Sequence, residues 1–165
     1  MDFNEDVDDG DSDRLFAIKG RVMALDLGEK RIGVAISDPT RTIAQSYGVV
    51  QRTSRKADYA EYGRIIAKEQ VNLLVVGLPL SLAGDETQKS AWVRDYTAEM
   101  AQHIDIPIEF WDEALTTVQA EASLRERGKR GKKARQRVDE VAAAFILQSF
   151  LDASVSGLWS DGVME

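Results

Sequence analysis

Val22-Met23-Ala24-Leu25-Asp26-Leu27-Gly28, followed by Arg31-Ile32-Gly33-Val34-Ala35-Ile36-Ser37-Asp38, decides how this chain is read. Two apolar runs lie on either side of a short break, the pattern of two strands joined by a tight turn. One carboxylate, Asp26, stands near the end of the first run. An acid in a segment that otherwise favours burial is destabilising by several kcal/mol unless it is paired, hydrogen-bonded or bound to a cation. Glycines at 28 and 33 allow a sharp turn and the close approach of a ligand. Two readings follow, and the motif alone does not separate them. Either a metal or phosphate site opens at the hairpin mouth, or the aspartate caps its own turn.

Outward from the hairpin, a third strand is expected at about 46–52, then a helix from Asp58 to Glu69 with Tyr62, Ile65 and Ile66 at helical spacing. Asn72 to Leu78 is a continuous apolar run ending at Gly77 and Pro79, which suits a strand covered on both faces. Thr87–His103 reads as a helix, Ile106–Trp111 as a strand, and Thr116–Arg127 as a helix with capping-box spacing between Thr116 and Gln119. A last helix carries Val138, Val141, Ala142, Phe145, Ile146 and Phe150 on its apolar face. An opening meander followed by helix-linked strands gives an α/β fold, a mixed five-stranded sheet with helices on both faces. Helix-linked strands run parallel, so their carboxyl ends open on one edge, where sites form.

The chain has 165 residues, 44% of them hydrophobic, enough for one full core. Cysteine is absent and His103 is the sole histidine. That excludes disulfides, thiolate catalysis and Cys- or His-cluster zinc sites, so any metal chemistry falls to carboxylates and hard cations. No basic-then-apolar leader pattern or membrane-length apolar run is visible, so a cytoplasmic protein is expected, with no membrane partner. The net charge of -7 conceals two blocks. Residues 1–16 hold seven acids against Arg14 and read as a disordered acidic tail. Residues 125–137 hold eight bases and one acid and read as a flexible loop, broken by Gly128 and Gly131. The domain is expected over 17–153, with a weakly patterned tail at 154–165.

Acids recur at three element ends: Asp26, Asp112-Glu113 and Asp139-Glu140. Each has a structural reading: Asp112 can start a turn, Glu113 can be solvated, and Asp139-Glu140 fit a helix start better than a site. Should the three ends converge, they would form an all-oxygen cage for one or two divalent cations, suited to phosphodiester hydrolysis. Gly77-Leu78-Pro79 with Ser81 and Gly84 could offer backbone N–H groups to a phosphate or simply end the strand. Lys30 and Arg31 sit in the hairpin turn beside Asp26, as phosphate contacts or solubilising charges. Lys129, Arg130, Lys132, Lys133 and Arg135, between two of the acidic points, read as nucleic-acid contacts. No tryptophan interleaves with them, so base stacking has no support in the sequence, and His103 reads as structural.

Four stretches together resemble the YqgF family: Ala24–Gly28 with Arg31–Ala35, Val75–Pro79, Asp112–Thr117, and Val138–Ala144. The resemblance spans about residues 21–152 in the same order. It implies a ribonuclease H-like fold and a Holliday-junction-resolvase-like nuclease assigned to 5′ maturation of pre-16S ribosomal RNA. By motif it implies Asp26, Glu113 and Asp139 as catalytic, metal-binding carboxylates for Mg²⁺ or Mn²⁺, with pre-rRNA as the partner. One departure is Ala114, where the family usually has Arg directly after the acidic pair; it bears on a phosphate or carboxylate contact there, not on the acid triad. The alternatives are a resolvase acting on branched DNA and a non-catalytic RNA- or ribosome-binding module. An ATP-using phosphotransferase would need a second Asp-x-Gly hairpin, and none is found. Oligomeric state is left open.

Overall fold

The computed structural model describes residues 20–114 and 131–156, with side chains placed over 20–114 and 141–154. Strand β1 (Arg21–Leu27) pairs antiparallel with β2 (Arg31–Ser37), which pairs antiparallel with β3 (Ala44–Gln51). Helix α1 (Arg55–Glu69) leads to β4 (Val71–Leu78), and α2 (Gln88–Met100) leads to β5 (Ile108–Asp112). Helix α3 spans Gly131–Ser156. The sheet order is β3-β2-β1-β4-β5, with β1, β4 and β5 mutually parallel. The expected mixed five-stranded sheet is therefore the observed one.

Strand alternation sorts the core into two layers. Met23, Leu25 and Leu27 of β1 pack with Tyr59, Tyr62 and Ile65 of α1 and Val93, Tyr96 and Met100 of α2. Val22 and Ala24 face the other way, onto Ala143, Ile146, Leu147, Phe150 and Leu151 of α3. Ala24, Ala35 and Ala143 are all small and fully buried, which lets α3 lie close to the sheet. Each large aliphatic or aromatic side chain removed from water contributes about 1.5–3 kcal/mol to this sandwich. β4, central and covered on both sides, is buried at every position but Asn72, as its unbroken apolar run requires. β3, at the sheet edge, exposes Gln45, Ser46 and Tyr47.

Some element boundaries differ from those that the sequence pattern predicts. α1 starts at Arg55 rather than Asp58, because the Ser54 side chain accepts the Ala57 N–H and caps the helix earlier. β5 runs to Asp112, beginning after Pro107, whose carbonyl accepts the Leu74 N–H at 3.0 Å. α3 starts at Gly131, so the second half of the expected basic loop is helical backbone; Lys, Arg, Gln and Ala are all good helix formers. The buried stripe of α3 is Ala143, Ile146, Leu147, Phe150 and Leu151. Of the expected face, Ile146 and Phe150 belong to it, while Val141, Ala142 and Phe145 are half-buried. The expected helix at 116–127 and the acidic tail lie outside the described residues. No helix among the described residues is long and apolar enough to cross a membrane.

Candidate active site

Parallel pairing puts the carboxyl ends of β1, β4 and β5 on one sheet edge. Asp26 is the penultimate residue of β1, opposite Gly33 of β2. The turn behind it closes through the Gly28 N–H, which donates to the Arg31 carbonyl at 3.0 Å. A Cβ on Gly28 would stand 2.5 Å from that carbonyl oxygen, so the tight hairpin needs glycine there. Glu113 follows β5 directly. Its N–H donates to the Leu78 carbonyl at 3.0 Å, extending the β4–β5 ladder by one residue and fixing where its side chain leaves the backbone.

That side chain lies over Gly77. A Cβ at Gly77 would come within 2.8 Å of Glu113 Oε2 and 2.7 Å of Ile146 Cδ1, so the missing side chain makes room for the carboxyl between β4 and α3. There Glu113 hydrogen-bonds to the Asp26 side chain. Its acidity follows: burial first, then the negative charge of Asp26, push the Glu113 carboxyl up to about 8. Lys89 opposes the shift, while the hydrogen bond to Asp26 and the charge of Asp112 add to it. A carboxyl pair that keeps a proton at neutral pH can exchange it for a hard cation or pass it to a reacting group.

The remaining candidates divide. Asp112 accepts the Ala114 N–H at 2.9 Å, the turn-forming role open to it. Asp139 and Glu140 do not start the last helix as expected: α3 begins at Gly131, so they lie about two turns inside it and neither cap it nor meet its N-terminal dipole, and their side chains are outside the described residues. Among the described residues no group of three or more acids or histidines is placed to hold a metal. Lys30 is exposed in the hairpin turn and Arg31 is half-buried at the start of β2. Lys129 and Arg130 lie outside the described residues, and Lys132, Lys133 and Arg135 are placed only as helical backbone. The loop after Pro79 does not cradle a phosphate with its bonded amides. Leu80, Ser81 and Gly84 N–H donate to Leu78, Asp85 and Ser81 carbonyls, and Asp85 N–H donates to Ser81 Oγ. His103 stacks on Tyr59, ring centroids 5.3 Å apart.

Lys89, whose charge reaches Glu113, belongs to none of the sequence motifs. The signal that could have found it is the start of α2 close after a loop at a strand's carboxyl end. Thr87 caps that helix, and Thr87 and Ser90 form a reciprocal capping box.

The topology defines the class as ribonuclease H-like. The chain superposes on T. thermophilus RuvC in complex with a Holliday junction substrate with TM-score 0.52 and 15% identity, covering 84% of this chain and 97% of that one. Residues 20–153 match the RuvX family model, described as Holliday junction resolvase, and the chain belongs to that family. Among its relatives, a protein of Roseiflexus sp. (strain RS-1) is 46% identical, covering 81% of this chain and 95% of the relative. One of Myxococcus xanthus (strain DK1622) is 42% identical, covering 81% and 88%. Both carry the name "Putative pre-16S rRNA nuclease".

Proposed function

We propose that this chain is a cytoplasmic nuclease that hydrolyses phosphodiester bonds at the Asp26–Glu113 edge, acting in 5′-end maturation of pre-16S ribosomal RNA. The observation that carries the reading is the contact between two carboxyls from separate strands, drawn together over Gly77 although their charges repel. Such a pair is stable only with a shared proton or a bound cation, and its all-oxygen donors fit Mg²⁺ or Mn²⁺. Asp26, Glu113 and Asp139 would hold the ion. Asp139 precedes Ala143 and Ile146 by four and seven residues, the spacing of the α3 stripe that meets the sheet, and Ile146 reaches Gly77 beside Glu113. When bound, the ion supplies charge stabilisation for the phosphoryl oxygens and makes an attacking water more acidic. The protein's part is to align the strand ends, exclude bulk water on the α3 side and offer the Lys89 cation beside the acids. Lys30, Arg31 and the basic segment around Lys129, Arg130, Lys132, Lys133 and Arg135 supply affinity for phosphates.

RNA rather than branched DNA is favoured by the names of the relatives at 42% and 46% identity. The family description favours a four-way DNA junction, which makes that substrate the second reading. Asp26→Asn keeps the shape of the side chain and removes its charge. With Mg²⁺, the parent should cleave an RNA spanning the 5′ end of 16S ribosomal RNA, and the variant should lose roughly a hundredfold or more of that rate. The fold should be retained, since a repulsive pair is relieved. Undiminished cleavage by the variant overturns the assignment, and cleavage of a four-way junction alone turns the reading to DNA.

A further inference from the structure

On the α2 side of the sheet edge, round the strand ends from the Glu113 carboxyl on the α3 side, lies a cavity of about 490 Å³ lined by Glu29, Gln88, Lys89 and Trp92. Its size falls in the range of small-ligand sites, roughly 300–1,000 Å³. Trp92 is half-buried and held from behind. Its ring packs on Tyr96, centroids 5.2 Å apart, and the Arg52 guanidinium sits over it at 5.3 Å. Arg52 is itself fixed: Nε donates to Asp58 Oδ2 at 3.0 Å and a terminal nitrogen donates to the Glu29 carbonyl at 3.3 Å. An indole braced by an arginine that is itself tied to the buried Asp58 carboxylate is a held platform, not a mobile surface side chain. Lys89 and Gln88 are exposed on the same rim, and the Lys89 charge also reaches Glu113. Glu29 is three residues beyond Asp26, in the turn of the hairpin that carries that acid.

Resting on the nuclease reading, we propose that this cavity receives one unstacked nucleobase of a single strand running across the acid pair, stacked on Trp92, with Lys89 on a neighbouring phosphate. Aromatic platforms of this kind bind any base, because every base has a π face, and stacking needs no 2′-hydroxyl. Gln88 can donate to and accept from the edge of the base. A continuous duplex does not offer such a base, so the site selects single-stranded or locally opened substrate. Glu29 on the rim disfavours a phosphate in the cavity itself, which puts the base inside and the phosphate at Lys89.

The test is the affinity of the full chain for fluorescein-labelled ten-nucleotide oligouridylate and oligothymidylate, and for an abasic chain of equal length, in chelator so that nothing is cleaved. Trp92→Leu should weaken binding of both base-bearing oligomers by roughly five- to a hundredfold. It should leave the abasic chain unchanged, and Trp92→Phe should keep most of the affinity. Lys89→Gln, at an exposed position that folding does not need, should flatten the slope of log affinity against log salt by about 0.7 for all three chains. Parent protein that binds none of these oligomers overturns this proposal alone, because the nuclease reading stands or falls on the Asp26→Asn cleavage assay. Parent binding with Trp92→Leu equally tight, or an equal loss on the abasic chain, overturns the base site alone. If Trp92→Leu melts far below the parent, Trp92→Phe and Lys89→Gln decide: loss with Phe equal to loss with Leu, or an unchanged salt slope, overturns the proposal.

Discussion

Glu113 and Asp26 share a hydrogen bond in a half-buried site, and the proton held there ties the stability of the metal-free protein to pH. In the unfolded chain Glu113 titrates near 4.5; in the fold, burial and then the charge of Asp26 move it to about 8. The folded state thus binds this proton more tightly than the unfolded state. Its contribution to stability is fully present below the unfolded value, fades as pH rises, and is lost on passing the folded value. In chelator, Tm should therefore fall between about pH 5 and about pH 8.5, and Glu113→Gln should flatten that fall. A divalent ion replaces the proton, so Mg²⁺ should raise Tm more at the alkaline end. The same fall in parent and Glu113→Gln would show that another group is responsible. Sequence pattern marks Asp26 and Glu113 as acids at element ends and leaves each ambiguous. In the fold Glu113 takes the room left by the missing Cβ of Gly77 and hydrogen-bonds to Asp26, so it is not simply solvated.

Between α1 and α2 the structure buries a charge that periodicity does not mark. Asp58, in the first turn of α1, is 1% exposed. It accepts from Arg52 Nε at 3.0 Å, from the Thr53 N–H at 3.2 Å and from the Tyr96 hydroxyl at 3.0 Å. The Tyr96 and Tyr62 hydroxyls lie 2.8 Å apart, so one network ties both helices to the end of β3. Burial pushes the Tyr62 and Tyr96 hydroxyls far above the ordinary phenol range, so both stay protonated and able to donate. Removing Arg52 alone leaves a buried carboxylate without its counter-charge. Arg52→Leu should destabilise the fold by about 3 kcal/mol or more in urea denaturation, and Arg52→Leu with Asp58→Leu should recover much of that loss. A single variant within about 0.5 kcal/mol of the parent would mean that the tyrosine and backbone donors suffice for Asp58. Because Arg52 also braces Trp92, the network links helix packing to the rim of the candidate site.

Over the whole molecule, charge is segregated rather than balanced. The acidic 1–16 block and the basic 125–137 block stand against remaining residues that hold 20 acids and 12 bases, so the basic block is the one strongly positive stretch of an otherwise acidic chain. Within the nuclease reading the basic block gives affinity without chemistry. Neutralising Lys129, Arg130, Lys132 and Lys133 together should weaken binding to single-stranded and duplex nucleic acid alike. It should also flatten the salt slope by about 0.7–0.9 for each phosphate that the variant no longer neutralises. Turnover at saturating substrate should change much less. Equal slopes for parent and variant in filter-binding titrations would mark the block as a solvated segment.

Element order, the mixed sheet and the strand-end placement of the acids are legible in the amino-acid sequence without further information. Strand alternation, continuous apolar runs and glycine turns are local patterns, and local sterics and burial enforce them whatever the rest of the chain does. Helix ends are less legible: Ser54 moves one start and the helix-forming Lys, Ala, Arg and Gln of 131–137 extend another helix, since capping and propensity compete within about a turn. Tertiary packing decides three arrangements: Asp26 meeting Glu113, Asp58 buried with Arg52, and the Lys89–Trp92 turn of α2 lying against Glu29 of the first hairpin. The first two pairs are separated by 87 and 6 positions in the chain. The first needs parallel strands to align their carboxyl ends, and the second needs α2 to bring Tyr96 and the core over an acid that the sequence pattern marks only as a helix start. The third depends on where β1 and β4 end. In each case the deciding energy comes from groups that approach only after the chain has folded.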